Sequence, residues 1–203
     1  MGPGARRPGR GGGAAGGEGD WGLHRVERPP EPHGSRAIGR GIGPALELRD
    51  VQMVLRNDPE VAGDLRDKAL RFAAEILSFD PAIGDRVAGR RRAELLLQSG
   101  AAMERFQRIV AAQGASHAPE PRRLTHVMRA PHASVVRDVD WLHIAGIARR
   151  TSAPVDRWGG IDLAIEPGAR LKAGEPLYTI RAGKAAGLEA AVLPWPGRIV
   201  ASA

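Results

Sequence analysis

The spacing of apolar residues changes once along this chain, and that change constrains the fold more than any other feature of the sequence. Between Pro44 and Gly114 the apolar residues repeat at helical intervals. After Leu124 they alternate with polar residues over short runs, as in strands with one buried face. A stretch rich in Pro and Ala, Ala115–Arg123, separates the two regions. We therefore predict an α+β protein in which a helical segment precedes a mixed domain.

Four helices are predicted in the first region, each bounded by a residue that favours a helix terminus. The predicted bounds are Pro44–Arg56, Asp64 to the stop at Phe79-Asp80-Pro81, Asp85–Ser99, and a fourth helix that follows Gly100 and ends at a left-handed cap, Gly114. Their expected buried faces are Leu46, Val51, Val54 and Leu55, then Leu65, Ala69, Phe72, Ala73, Ile76 and Leu77, and in the fourth Met103, Phe106, Ile109 and Val110.

Short strands and Gly-containing turns dominate the second region. The predicted strands are Leu124–Ala130, Ala133–Val139, Ile161–Ile165, Arg170–Lys172 and Leu177–Arg181, with one helix at Trp141–Arg150 and turns at Pro167-Gly168 and Ala173-Gly174. From Ile161 onward this order resembles the hammerhead module of biotinyl and lipoyl carrier domains. No helix is expected in Leu188–Ala203, because Pro194-Trp195-Pro196-Gly197 cannot sustain one.

Residues Met1–His33 differ in composition from the rest of the chain. They are rich in Gly, Arg and Pro and nearly lack aliphatic side chains, so we expect a disordered tail. Three interpretations remain open for it: a solvated tail, a weak RNA-binding arm of the Arg/Gly kind, and a product of gene truncation or frameshift.

The overall composition narrows the possible functions. The chain carries 30 basic and 23 acidic residues, but 27 of the basic ones are Arg spread along the whole length, which argues for codon bias over a nucleic-acid surface. The absence of cysteine excludes disulfides and thiolate chemistry. No apolar run has the length of a membrane span, and the N-terminus lacks a signal-peptide core, so we expect a cytoplasmic protein.

Three segments together carry a family resemblance: GRGIGPALELRD at Gly39–Asp50, LLLQSGAAMERFQRIVAAQG at Leu95–Gly114, and IDLAIEPGARLKAGEPLYTIRA at Ile161–Ala182. In this order and spacing they resemble the C-terminal part of the thymidine and pyrimidine-nucleoside phosphorylases. The wording of the first segment is similar to the branch that includes the archaeal AMP phosphorylases. The resemblance implies that 34–114 is a helical portion of an α/β domain, 115–123 a linker, 124–187 the C-terminal α+β domain, and 188–203 a divergent tail.

The resemblance also implies a reaction. Enzymes of this family are pentosyltransferases, which convert a pyrimidine nucleoside or AMP and inorganic phosphate into free base and (deoxy)ribose 1-phosphate or ribose 1,5-bisphosphate. The family's phosphate and base sites lie upstream of the matching segments, and so does the part that forms its homodimers. We therefore expect this chain to be inactive alone, with no catalytic, substrate-binding or metal-binding residues and no cofactor; inorganic phosphate is the family's co-substrate. The alternative is a non-catalytic binding or structural module whose Arg/Gly-rich tail contacts RNA.

Individual candidate residues support no other chemistry. Gly39-Arg40-Gly41-Ile42-Gly43 leads into a helix, but close packing of the loop on a sheet explains it better than a phosphate site. The histidines lack metal-ligand spacing and are expected at the surface or in interfaces: His24, His33, His117, His126, His132 and His143. Asp138 and Asp140 fit a helix cap better than an acid pair. Lys172 and Lys184 lack the Met-Lys-Met wording of a modified carrier lysine.

Overall fold

The structure, a computed structural model, describes residues 37–114 and 124–193. In chain order their elements are β1 (Gly41–Ile42), α1 (Pro44–Leu55), α2 (Gly63–Leu77), α3 (Arg86–Gln98), α4 (Ala101–Gln113), β2 (Leu124–Arg129), β3 (Ser134–Val135), α5 (Trp141–Arg150), β4 (Gly160–Leu163), β5 (Arg170–Leu171), β6 (Pro176–Ala182) and α6 (Ala185–Val192). The predicted α+β class is confirmed. The expected tail at Met1–His33 and linker at Ala115–Arg123 lie outside the described residues.

The helix termini follow the predicted signals. Pro44 is in the first turn of α1. Asp85 caps α3 by accepting a hydrogen bond from the Ala88 backbone N–H at 2.8 Å, which satisfies a donor that the helix itself cannot use. Gly100 and Gly114 flank α4 with φ values of 76° and 79°, a conformation that glycine adopts without steric cost.

The buried face of α2 differs from the prediction. Leu70 and Ala74 are its most buried residues and pack with Val54, Ala93 and Leu97 of α1 and α3. Phe72 and Ile76, which were expected in the core, are 43% and 66% exposed. The two sets lie about 200° apart on the helix, so α2 has two apolar arcs, and only one of them contacts α3.

The remaining helical core is thin. Val51 of α1 and Ile109 of α4 are exposed, against expectation, and no residue of α4 is fully buried. Met103, Phe106 and Val110 are half-buried. The described helices α2–α4 therefore bury only part of their apolar surface within this chain.

An antiparallel sheet organises the second region. Its strand order among the described residues is β1-β4-β6-β2, and β3 pairs separately with β5. One face of the larger sheet packs on α5 and α6 around Ile144, Ile161, Tyr178 and Ile180, each at most 1% exposed. Of the strand predicted over Ala133–Val139, only Ser134–Val135 forms a strand, and Val139 forms an isolated bridge; Val136 and Val139 enter the core.

The final helix α6 corrects the prediction for the C-terminal stretch. Residues Leu188–Val192, expected to be non-helical, form its second half and place Ala191 in the core. The proline run that motivated the expectation begins only after the helix has ended at Val192.

The segment Gly39–Gly43 joins α1 to the sheet. Gly41 and Ile42 pair with Asp162 and Ile161 of β4. A Cβ atom on Gly41 would lie 2.6 Å from the Leu46 carbonyl carbon, and one on Gly43 would overlap the Gly159 carbonyl oxygen. These glycines allow two backbones to touch, which is the loop-on-sheet packing predicted from the sequence.

Candidate functional site

A charged cluster lies where α1 meets the sheet, centred on the carboxylate of Asp162 in β4. Arg49 of α1 donates to both of its oxygens, at 2.5 Å from Nη1 and 3.0 Å from Nη2. Arg181 of β6 donates from Nη2 at 3.0 Å, and Nη2 of Arg40 lies 3.5 Å away. Asp162 is only 8% exposed, so one nearly buried carboxylate faces three guanidinium groups.

A second carboxylate, that of Asp50, extends the cluster to the Gly-rich loop. Its Oδ2 accepts the backbone N–H groups of Arg40 and Gly41 at 2.9 and 2.7 Å. Its Oδ1 accepts Nε and Nη2 of Arg49 at 2.9 and 2.7 Å. The loop amides that a phosphate would need are therefore bound to a carboxylate, and the loop is held against α1.

The electrostatic state of the cluster follows from these contacts. Burial opposes ionisation of Asp162, but the hydrogen bonds from Arg49 and the charges of Arg49, Arg40 and Arg181 outweigh it and lower its pKa. Burial likewise opposes the charge of Arg49, yet hydrogen bonds to Asp162 and Asp50 raise its pKa. Asp162 is thus ionised at neutral pH and cannot act as a proton donor there.

Arg40 also lines a cleft of about 690 Å³, within the size range of small-molecule sites. The cleft lies between the start of α2, the end of β4 and the start of α5, where Trp141 forms part of the wall. Its other charged lining residues are Asp64 and Glu166. Nε of Arg40 donates to the Leu163 carbonyl oxygen at 3.2 Å, which holds this side chain between the cleft and the cluster.

The candidate residues from the sequence lie apart from this cluster. Asp140 caps α5 by accepting the His143 backbone N–H at 2.9 Å, as predicted. Asp138 accepts the N–H of Val139 at 2.8 Å. Lys172 is exposed in the turn between β5 and β6, and Lys184 is exposed at the start of α6.

One histidine departs from expectation. His143 was placed at the surface or in an interface, but it is 4% exposed within α5, and burial lowers its pKa. His126 and His132 are exposed, and the remaining three lie outside the described residues. Within 37–114 and 124–193, no three His, Asp or Glu side chains are grouped as a metal site.

Sequence reasoning missed the cluster itself. Its members come from residues 40, 49, 50, 162 and 181, and no spacing rule connects them. One signal was present: Asp162 interrupts an otherwise apolar strand, and a buried carboxylate needs cationic partners.

The α-helices of the described residues include none long and apolar enough to span a membrane.

Comparison with known proteins gives a consistent set of relatives. The "Bifunctional ribose 1,5-bisphosphokinase-thymidine phosphorylase" of Azorhizobium caulinodans is 52% identical over 159 residues, which cover 78% of this chain and 23% of the relative. A protein of the same name from Cupriavidus pinatubonensis is 51% identical over 160 residues, which cover 78% of this chain and 27% of the relative. Another, from Cupriavidus necator, is 48% identical over 159 residues, which cover 78% of this chain and 26% of the relative. No protein-family model matches the chain. The chain spans about a quarter of the length of these curated relatives.

Proposed function

We propose, from the premise that this chain is homologous to the C-terminal part of the thymidine phosphorylases, that it contributes a scaffold to nucleoside phosphorolysis and does not catalyse it alone. The main support is that about half of the residues are identical to those of the Azorhizobium caulinodans relative over 159 positions. In addition, the charged side chains of the Asp162 cluster form ion pairs with one another. The cluster binds α1 and the Gly-rich loop to the sheet, which is a structural task.

The whole-protein reaction we propose is a pentosyl transfer. A phosphate oxygen forms a bond to the anomeric carbon while the bond from that carbon to the base nitrogen breaks, and the base leaves with the electron pair and takes up a proton. Such a site needs N–H groups and fixed positive charge for the phosphate dianion, together with donors for the leaving base. In this chain the amides of Arg40 and Gly41 already bind Asp50.

The names of the relatives carry two indications of a substrate. They pair a phosphorylase named for a nucleoside, thymidine, with a ribose 1,5-bisphosphokinase. Phosphorolysis of a nucleoside releases a pentose 1-phosphate, whereas phosphorolysis of a 5′-mononucleotide such as AMP releases ribose 1,5-bisphosphate, which is the compound in the kinase's name. We therefore propose AMP as the substrate class for the whole protein.

The exposed arc of α2 supplies a contact surface for the remainder of such a protein. Phe72 and Ile76 lie on this arc, and Phe79, 71% exposed, follows in the turn just after the helix. Large apolar side chains in a row are covered by protein in most soluble assemblies. We propose that this row packs on the upstream part of a phosphorylase. We also propose that the homodimer contacts of the family lie in that upstream part.

Two proteins test this proposal together. The first is this chain alone, assayed for phosphate-dependent release of base from AMP, thymidine and uridine; we expect none. The second is the Cupriavidus pinatubonensis relative with its matching residues replaced by those of this chain, which should retain phosphorolysis within about tenfold and prefer AMP. Base release by the chain alone near an ordinary turnover of about 1 s⁻¹ would refute the first expectation.

The hybrid protein needs its own control. A second hybrid carrying Ile76→Asp should lose activity and solubility if the α2 row packs on the upstream part. Arg91→Asp, exposed on α3, serves as the matched charge change and should be tolerated. If the first hybrid, which carries Ile76, folds but is inactive, that result would count against the scaffold role.

A further inference from the structure

The Asp162 cluster contains more positive than negative charge. Arg40, Arg49 and Arg181 converge on the carboxylates of Asp50 and Asp162, so three cations face two anions. Arg49 is satisfied on both carboxylates, with Nε, Nη1 and Nη2 all donating. Arg40 also lines the cleft that contains Asp64 and Glu166, so Arg181 is the guanidinium of the cluster with the fewest acidic neighbours named above.

Arg181 has the larger unused hydrogen-bonding capacity. Its guanidinium donates one side-chain hydrogen bond among the described residues, from Nη2 to Asp162, and its Nε is buried with no hydrogen-bond partner there. Arg40, by contrast, also donates from Nε to the Leu163 carbonyl oxygen. A buried donor without a partner is uncommon in proteins, but Nε itself is closed to solvent, so a ligand would reach this guanidinium through its exposed atoms.

The sheet leaves Arg181 accessible. The side chains of Arg181 and Asp162 are on the face opposite to the core residues Ile161 and Ile180, since neighbouring strand residues point to opposite faces. On that face α1 packs against β1 and β4, and β6 lies one strand further along. The Arg181 side chain is 27% exposed.

A hydroxyl group lies beside the guanidinium. Thr125 of the edge strand β2 is directly paired with Arg181, so the two side chains share a face about 5 Å apart at Cβ. Thr125 is exposed, and its hydroxyl is a hydrogen-bond donor. A guanidinium and a hydroxyl on one side of a sheet match a small oxyanion, which accepts hydrogen bonds from both groups.

We propose that Arg181 and Thr125, supported by Arg40 and Arg49, bind a small oxyanion on this face of the sheet. The chemistry is that of a phosphate or a carboxylate, both of which accept the paired N–H groups of a guanidinium. The site is separate from phosphorolysis and stands whether or not the chain contributes to that reaction.

The test is thermal melting of the full chain, followed by tryptophan fluorescence at constant ionic strength. Replacing sodium chloride by inorganic phosphate, sulfate or acetate distinguishes the ligand sources. With a dissociation constant of about 1 mM, 20 mM phosphate should raise the melting temperature by several degrees, roughly 3–6 °C. Acetate as the strongest ligand would assign the site to a carboxylate. Equal melting temperatures in all four salts would overturn the proposal.

Variants distinguish specific binding at Arg181 and Thr125 from a general effect of the salt on protein stability. Arg181→Gln should abolish the phosphate-dependent rise, and Thr125→Val, which leaves every ion pair intact, should reduce it by at least half. Arg91→Gln should keep the full rise. If Arg181→Gln does not fold, Thr125→Val still decides, because an unchanged rise in that variant contradicts the proposed site.

Discussion

Asp162 connects four segments of the chain through one carboxylate: the 39–43 loop, α1, β4 and β6. Its pKa is lowered in the folded protein because the arginine contacts outweigh burial. A carboxylate with a depressed folded pKa stabilises the fold above its unfolded pKa of 3.8 and loses that contribution as pH falls through the folded value. The contribution of Asp162 to stability is therefore lost as the pH falls below about 4.

We predict that Asp162→Asn lowers the free energy of unfolding at pH 7 by about 2–4 kcal/mol, since it leaves three guanidinium groups without their shared anion. The lower end applies because the arginines are partly solvated. Urea titrations between pH 7 and pH 3 measure this, and the difference from the unchanged chain should shrink below about pH 4. Asp138→Asn, at an exposed position, is the control and should change little. A constant difference across the pH range would contradict the ionised-carboxylate account.

Gly43 offers a second residue-scale prediction. Its φ of 127° is disfavoured for other residues, and an added methyl group would overlap the Gly159 carbonyl oxygen. Gly43→Ala should destabilise the chain by about 3 kcal/mol or more, through strain and a forced shift of α1 away from β4. Gly146→Ala is the matched control: it lies within α5 with open space around the added methyl, and should stabilise by roughly 0.5–1 kcal/mol. Chemical denaturation of both variants compares them directly.

At the scale of elements, α2 shows where periodicity succeeds and where it stops. Its helical character was predictable from apolar residues at i, i+4 and i+7, and its capping and breaking residues fixed its ends within a residue or two. Which apolar arc is buried was not predictable, because α2 has two. The choice depends on α3, whose Gly89 lets its backbone approach the Ala74 carbonyl group closely.

The two arcs of α2 predict opposite mutational responses. Leu70→Ala, at a position 2% exposed, should cost about 2–4 kcal/mol of stability by opening a cavity between α1, α2 and α3. Ile76→Gln, at a position 66% exposed, should change stability by no more than about 0.5 kcal/mol. The same Ile76 variant should bind less hydrophobic dye and aggregate more slowly. Equal destabilisation by both would show that Ile76 is covered within this chain.

For the whole molecule, the sequence placed a boundary at 115–123, and that division implies that a chain beginning near Pro121 forms an independent domain. In the structure β1 and α1, from before the boundary, pair with and pack on β4, from after it. Periodicity could not reveal this, because a two-residue strand has no period. The connection across the boundary is evident only from the structure, in which Asp162 forms ion pairs with both Arg49 and Arg181.

We therefore predict that a chain beginning at Pro121 is less stable than one beginning at Ala37. The shorter chain loses the Arg40 and Arg49 partners of Asp162 and uncovers one face of β4. Urea unfolding should show a lower midpoint and a broader transition for it. Adding the peptide 37–56 in trans should restore part of the difference, whereas the same peptide with Arg49→Gln should not. An equal midpoint for both chains would support the boundary at 115–123.

The pairing of Gly41 and Ile42 with Ile161 and Asp162 also has a consequence for synthesis of the protein. The partners lie about 120 residues apart, and a ribosome adds roughly 5–20 residues each second. For roughly 6–24 s the nascent chain thus carries β1, and the side of α1 that packs on β4, with no strand to receive them. Slow codons between the two strands lengthen that interval, so the yield of folded chain depends on translation speed in a way that its equilibrium stability does not.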